Sequence, residues 1–302
     1  MTPVATLSVG VPTFGDPGAG WTGLLNVARA AEDAGIDRLV VSDHVLLGEH
    51  TADYPWGRFP TGPEADWLEP LTVMAALAAV TTRVRFLTGV LVAPLRTAGL
   101  LAKTVATLDV LSGGRIDLGV GTGWQPEEFT ALGVPFADRG RLLTETITTC
   151  RRLWTGEPVE LETDAGPTTV WCAPTPAQDP LPVWFSGTLT PRNVDRIVRL
   201  GDGWIPIMGS TAADLADGVA LLHGALADAG REPGLLQVRG ALPVVRDADG
   251  RADADATLAA APALIAAGAT DVHLPLKAFD PSGEHAAATF AMLADRFRTE
   301  TT

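Results

Sequence analysis

The chain has 302 residues, 46% of them apolar, with a formal charge of −14 and a pI near 4.7. That length suffices for one large self-supporting core, and the acidic balance excludes nucleic acid or an anionic membrane surface as partner, since both require a basic face that displaces counterions. The longest apolar run, around residues 71–80, is too short to span a bilayer, no charged leader precedes an apolar stretch, and Cys150 and Cys172 fall in no metal-binding spacing; a reduced, cytoplasmic chain is expected.

In chain order, short runs rich in Val, Ile and Leu alternate with helical patterns, as in successive βαβ units of a parallel sheet. Strands are predicted at 5–11, 38–42, 84–90, 116–120, 183–186, 203–207, 237–244 and 271–276. The helices that follow them are predicted at 23–34, 70–80, 97–111, 139–154, 191–200, 212–229, 254–267 and 285–298. Gly35, Gly113, Gly201, Gly230 and Gly268 stand where helices should end in a left-handed residue. Eight such units without a break in composition predict an α/β fold as a single domain over 1–302 and favour a (β/α)8 barrel over an open doubly wound sheet, which the pattern alone leaves open. Two connections are long. Residues 45–69 carry Tyr54, Trp56, Phe59 and Trp67, and residues 155–182 contain a potential hairpin across 159–171; both are expected to be lids or binding elements.

In such a barrel the chemistry lies just beyond the C-terminal ends of the strands. After the second strand, Asp43 and His44 place an acid beside an imidazole able to exchange a proton near neutral pH, although a loop-capping aspartate and a structural histidine would read the same way. Gly89 interrupts the third strand before Val90, as at a bulge or a close approach to a ligand. After the fourth, Gly121-Thr122-Gly123-Trp124 lets a planar ligand near the main chain, with Thr122 as a donor and Trp124 as an apolar wall. After the fifth, Ser186-Gly187-Thr188-Leu189-Thr190-Pro191 runs into a helix whose free N–H groups and hydroxyls suit a phosphate, while Thr190 caps it. Glu127 and Glu128, in a helix opening at Pro126, read first as surface carboxylates favoured by the helix dipole, with Glu128 a secondary candidate for proton handling. The third helix, with Lys103, Asp109 and the Ser112-Gly113-Gly114-Arg115 turn, reads as structural.

The segments SDHV at 42–45, TGVLVAPLR at 88–96, LLAKTVATLDVLSGGRIDLGVGTGW at 100–124 and GVPFADRG at 133–140 together resemble the luciferase-like monooxygenase superfamily, and within it the branch that uses the deazaflavin coenzyme F420. The resemblance covers nearly the whole chain and implies a (β/α)8 barrel, a homodimer, and an oxidoreductase that passes a hydride between the deazaflavin and a small organic substrate. An FMN-dependent monooxygenase is the alternative. It further implies a non-prolyl cis peptide at Gly89–Val90, with Asp43 and His44 beside the ring. Thr122, Gly123 and Trp124 would run along the ring, and Ser186, Gly187 and Thr188 would hold the phosphate. His44 is the expected proton-handling or ring-polarising residue. Sugar-phosphate dehydrogenases of this branch carry glutamate where Trp124 stands, which argues against that substrate here. A metal-dependent barrel hydrolase would need Asp43, His44, His50 and His273 to converge, and the first strand offers Val9-Gly10-Val11 in place of a His-X-His pair; no metal is expected. A coenzyme carrier without a substrate pocket would lack a use for the aromatic loop around Trp56 and Trp67.

Overall fold

The computed structural model describes residues 5–16, 20–163 and 165–301. In chain order it contains β1 (Thr6–Gly10), α1 (Leu24–Ala34), β2 (Arg38–Val41), α2 (Pro70–Ala78), β3 (Arg85–Thr88), β4 (Leu91–Val92), α3 (Ala98–Ser112), β5 (Ile116–Gly121), α4 (Pro126–Ala131) and α5 (Arg139–Leu153). There follow β6 (Val159–Leu161), β7 (Thr168–Val170), β8 (Val183–Ser186), α6 (Pro191–Leu200), β9 (Gly203–Ile205), α7 (Ala212–Asp228) and β10 (Gln237–Ala241). The last elements are α8 (Ala254–Leu258), α9 (Ala261–Ala266), β11 (Asp271–Pro275), α10 (Leu276–Phe279) and α11 (Ala286–Thr301).

The parallel strands pair in the circular order β1, β2, β3, β5, β8, β9, β10, β11 and back to β1, with β4 continuing β3 alongside β5. This is the closed (β/α)8 barrel expected from the repeat. The predicted third strand is divided: the ladder stops at Thr88 and resumes at Leu91, and the Gly89–Val90 peptide between them is cis.

Each barrel strand is buried on both faces. Leu7 and Val9 turn outward into the shell shared with the helices, while Ser8 and Gly10 turn inward, as the two-residue period requires. Inside, Val40, Leu87, Trp184 and Ile205 form a small separate apolar cluster against Val90. Helix starts are capped by side chains chosen for it: Thr190 accepts from Asn193 N, Asp253 from Ala256 N, and Thr211 with Asp214 forms a full capping box.

Three expectations need correction. Residues 254–267 form two helices, because Pro262 lacks an N–H and its ring would clash with the carbonyl four residues back. Gly201 closes α6 with extended rather than left-handed backbone; glycine is needed there because a Cβ would lie 3.0 Å from both Ile197 Cα and Phe185 Cδ2. The connection 155–182 is no lid. It joins α5 to β8 and therefore returns at the N-terminal end of the barrel, where its hairpin of β6 and β7 leads to Gln178. Gln178 donates to Asp109 Oδ1 (2.8 Å) and the Ile116 carbonyl (2.7 Å), and accepts from Arg85 Nη2 (2.8 Å).

The floor of the barrel at that end is ionic. Arg38 joins Asp117 (2.9 Å) to Asp271 (2.6 Å), Arg85 pairs with Asp117 (2.7 Å), and Arg239 pairs with Asp271 (3.1 Å). Burial alone would raise the Asp271 carboxyl, yet Arg38 and Arg239 hold it down at about 2. The Ser112-Gly113-Gly114-Arg115 turn after α3 is structural as expected. The buried Arg115 guanidinium donates to the carbonyls of Ala78, Thr81, Val84 and Ser112.

Candidate active site

Asp43 and His44 follow β2, Gly89 and Val90 follow β3, Thr122 to Trp124 follow β5, and Ser186 to Thr188 end or follow β8. These strands are consecutive in the barrel, so the sequence-predicted residues share one half of its C-terminal mouth.

Asp43 is buried, and the protein itself takes both carboxylate oxygens. Oδ2 accepts from Val92 N (2.8 Å) and Arg96 Nη1 (2.7 Å), and Oδ1 accepts from Arg96 Nη2 (2.9 Å). A bidentate arginine of this kind fixes position as well as charge. Asp43 thus anchors the chain just past the cis bond, and Glu69, at the start of α2, holds the far side of Arg96 (3.1 Å).

His44 is buried and partnered by Glu128, the residue sequence reasoning placed on the surface. Glu128 is only 1% exposed. Its Oε1 accepts from Val45 N (2.6 Å) and Leu46 N (3.4 Å), and its Oε2 lies 3.2 Å from His44 Nδ1. With backbone donors filling one oxygen, the consistent assignment is Nδ1–H donating to the other, which leaves His44 Nε2 as the nitrogen open to exchange. The signal in the sequence was weak: Glu128 and Phe129 are both buried in the short helix α4, yet Thr130, the other neighbour of Phe129, is exposed. Glu127, on the other face, pairs with the exposed His50.

The aromatic loop folds back over this pair. Trp67, Phe59 and Trp124 meet the His44 ring edge-on at centroid distances of 4.8, 5.4 and 6.2 Å, Tyr54 meets Trp124 at 5.1 Å, and Phe14 stacks on Trp67 at 4.3 Å. Gln125 clamps the loop from below by accepting from Gly48 N (2.9 Å) and donating to Gly48 O (3.1 Å). Sequence reasoning missed this clamp, Arg96 as the Asp43 partner, and Phe14.

At the β8 end, Asn193 Nδ2 donates to the carbonyls of Ser186 (3.3 Å) and Thr188 (3.1 Å), and Trp204 Nε1 donates to the Gly187 carbonyl (3.0 Å). The turn is pinned through its carbonyls. Among the described residues, the hydroxyls of Ser186 and Thr188 and the N–H groups of Thr188 and Leu189 have no protein partner, so donors face outward at the start of a ten-residue helix.

Four buried side-chain polar atoms among the described residues also lack partners: Thr13 Oγ1, Trp124 Nε1, Trp184 Nε1 and Arg239 Nη2. Thr13 and Trp124 lie in loops at the C-terminal end, and Trp184 and Arg239 lie inside the barrel. Buried polar atoms are normally satisfied, so those at Thr13 and Trp124, by the C-terminal mouth, mark a place for a polar ligand. Together with the glycine-lined main chain at 121–123 and the donor-rich turn at 186–189, they fit a planar coenzyme with a phosphate-bearing tail. His44, His50 and His273 take separate partners and do not converge, and no group of three or more metal-ligating side chains occurs among the described residues.

Residues 4–298 match the family model for luciferase-like monooxygenases. An uncharacterized protein of Mycobacterium tuberculosis is 34% identical over 218 residues, 70% of this chain and 76% of that one. An F420-dependent glucose-6-phosphate dehydrogenase of Beutenbergia cavernae is 33% identical over 220 residues, 68% of this chain and 60% of that one. Among solved structures, the oxygenating constituent of the 3,6-diketocamphane monooxygenase of Pseudomonas putida, a type II Baeyer-Villiger enzyme in complex with FMN, superposes with a TM-score of 0.73. It is 15% identical, with 99% of this chain and 98% of that one covered.

Proposed function

The chain belongs to the luciferase-like monooxygenase family, and from that premise we propose that it is a coenzyme F420-dependent oxidoreductase acting on a small organic substrate beneath the aromatic loop. The observation that carries this reading is the buried Glu128–His44 pair, aimed into an aromatic enclosure beside the Gly89–Val90 bulge. The Asp43-His44 junction and the F420-dependent relative favour the deazaflavin over FMN. When bound, the coenzyme supplies the hydride donor or acceptor.

The protein supplies the rest. Glu128 accepts from Nδ1 and holds the His44 ring in one orientation, so that Nε2 takes a proton from, or returns it to, the substrate atom that gains or loses it. Phe59, Trp67 and Trp124 keep bulk water from that nitrogen. Asp43, through Arg96 and Val92 N, fixes the backbone on which a ring would rest. The Ser186, Gly187 and Thr188 turn offers hydroxyl and N–H donors to the tail phosphate, and Thr122, Gly123 and Trp124 line the ring's edge.

Fluorescence-quenching titration with F420 and with FMN tests this assignment. Micromolar or tighter F420 binding with weak FMN binding is expected, whereas tight FMN binding without F420 binding overturns it. The second reading, an FMN-dependent monooxygenase, draws on the FMN-bound structural neighbour, and it requires oxygen uptake coupled to substrate turnover.

A further inference from the structure

The opposite half of the barrel mouth holds a second imidazole. His273 is the third residue of β11 and lies in register with Ser8 of β1. Asp271 and His273 both point into the barrel, one layer apart. The Asp271 carboxylate is only an acceptor, and it collects Thr6 Oγ1 (3.0 Å), Ser8 Oγ (2.8 Å), Arg38 Nη1 (2.6 Å) and Arg239 Nε (3.1 Å). Ser8 has one hydroxyl proton, and it is donated in the hydrogen bond to Asp271 Oδ2. The remaining lone pairs of Ser8 Oγ face His273 Nδ1 at 3.1 Å, and only a protonated Nδ1 can fill that contact. The neutral ring therefore carries its proton on Nδ1 and a bare lone pair on Nε2.

The ring is aimed upward. Nδ1 lies at the level of Ser8, while a Cβ built on Gly10 would stand 3.4 Å from Cε1 and 3.6 Å from Nε2. Gly10 ends β1 beside Pro275, at the mouth, and any side chain there would occupy the space over Nε2. His273 keeps partial exposure although Ser8, Asp271, Val272 and Leu274 are buried, so its free surface belongs to the barrel interior. Among the described residues Nε2 has no partner. The groups facing the ring are Ser8 on β1, Asp271 on its own strand and Arg239 on β10, with Arg38 of β2 behind Asp271. Burial, reinforced by the positive charge of Arg239, pulls the imidazole down to about 3, so it stays neutral.

We propose that His273 is a substrate-binding residue whose Nε2, fixed as the unprotonated nitrogen by the Ser8–Asp271 relay, accepts a hydrogen bond from a hydroxyl or N–H group of a neutral ligand in the barrel mouth. Ser8 and Asp271 are its positioning residues. The Arg239 charge disfavours a cationic ligand, and the absence of a proton on Nε2 disfavours a group that can only accept. The inference rests on the oxidoreductase reading for the existence of a substrate, but the state of the nitrogen does not depend on any coenzyme.

The test is 15N NMR of the histidine rings in the coenzyme-free protein, assigned with His273→Gln, with benzyl alcohol, toluene and benzylammonium as probes. The expected result is one ring with a protonated Nδ1 and a pyridine-type Nε2, unchanged from pH 8 to 5. Benzyl alcohol should move that Nε2 signal and toluene should not, while benzylammonium should bind at least tenfold more weakly than the alcohol. His273→Gln keeps an acceptor and should bind benzyl alcohol within about threefold of the parent; His273→Leu should lose tenfold or more. Ser8→Ala should retain cooperative melting yet populate both tautomers. A protonated Nε2, titration in the ordinary histidine range, or equal shifts with toluene overturns the proposal. F420 and FMN titrations on the same samples keep the two readings apart, because loss of coenzyme binding would overturn the proposed function and leave the nitrogen assignment standing.

Discussion

The two ends of the barrel are built from similar residue types used in opposite ways. At the N-terminal end Arg38, Arg85, Asp117 and Asp271 are linked to one another, and Gln178 closes over them. At the C-terminal end Thr13 Oγ1, Trp124 Nε1 and the donors at 186–189 are left without partners among the described residues, beside a roof of aromatic rings. Charge satisfied inside a fold holds it together, whereas polar atoms left open are poised for something else to satisfy them. A barrel interior this polar would be unstable if both ends were open.

Removing one partner from the floor should therefore give the largest loss of stability. Asp271→Leu leaves Arg239 without an ion-pair partner and Arg38 with only Asp117, and breaking a buried pair in this way costs about 3–5 kcal/mol. Denaturant midpoints should show that loss. An unchanged midpoint would mean that the floor is not where the ionic stabilisation resides.

At the mouth the same kind of change should leave folding nearly intact and remove activity. Glu128→Gln preserves an acceptor for Val45 N but turns an amide N–H₂ toward His44 Nδ1, which reverses the tautomer and protonates Nε2. Turnover should fall by about 10²- to 10⁴-fold with substrate KM little changed, as for loss of a positioned acid–base group. If stability falls as far as in Asp271→Leu while turnover survives, Glu128 belongs with the floor.

This contrast also separates what the sequence discloses from what it hides. The eight strands and the junctions at Asp43, Gly89, Gly121 and Ser186 were legible because strand ends are punctuated by glycine, proline and hydroxyl residues within apolar runs. The cis bond at Gly89–Val90 followed from resemblance. Glu128 was hidden because a carboxylate in a first helical turn reads as surface until the helix's buried face is known. The connection 155–182 was misread because its length suggested a lid, while its place after a helix and before a strand sends it to the other end. Arg38, Arg85, Asp117, Arg239 and Asp271 each look like solitary charges within a strand, and only closure of the sheet brings them together.

The pH dependence of stability should divide the same way. Asp271 at about 2 and Glu32 at about 2 are both below their ordinary values. Glu32 is held there by the Arg83, Val84 and Thr82 N–H groups against the upward push of burial, so both contributions are full above about pH 4.5 and are lost as pH falls toward 2. His273 acts over a higher window. Its folded value of about 3 lies below the ordinary histidine value of about 6.5, so the unfolded chain binds the extra proton between those values and stability declines as pH falls through them. That slope is at most about 1.4 kcal/mol per pH unit. Urea denaturation at pH 7, 6, 5 and 4 should show the decline in the parent, and His273→Gln should flatten it; an identical slope in both would remove His273 as its source.

The smallest effect should come from an atom that has no partner among the described residues. Thr13 Oγ1 is fully buried and unbonded in the segment after β1, where Thr13 N donates to the Val11 carbonyl and Thr13 O accepts from Leu68 N. Thr13→Val replaces the hydroxyl with a methyl of similar size and leaves both backbone bonds in place. An unsatisfied buried hydroxyl is a cost to the free protein, so the variant should match or exceed the parent's stability by up to about 1 kcal/mol, read as a melting midpoint that rises or stays level. If the hydroxyl is reserved for a ligand, the same variant should bind its coenzyme or substrate severalfold more weakly. A lower melting midpoint together with unchanged ligand affinity would move Thr13 from the open end of the barrel to the closed one.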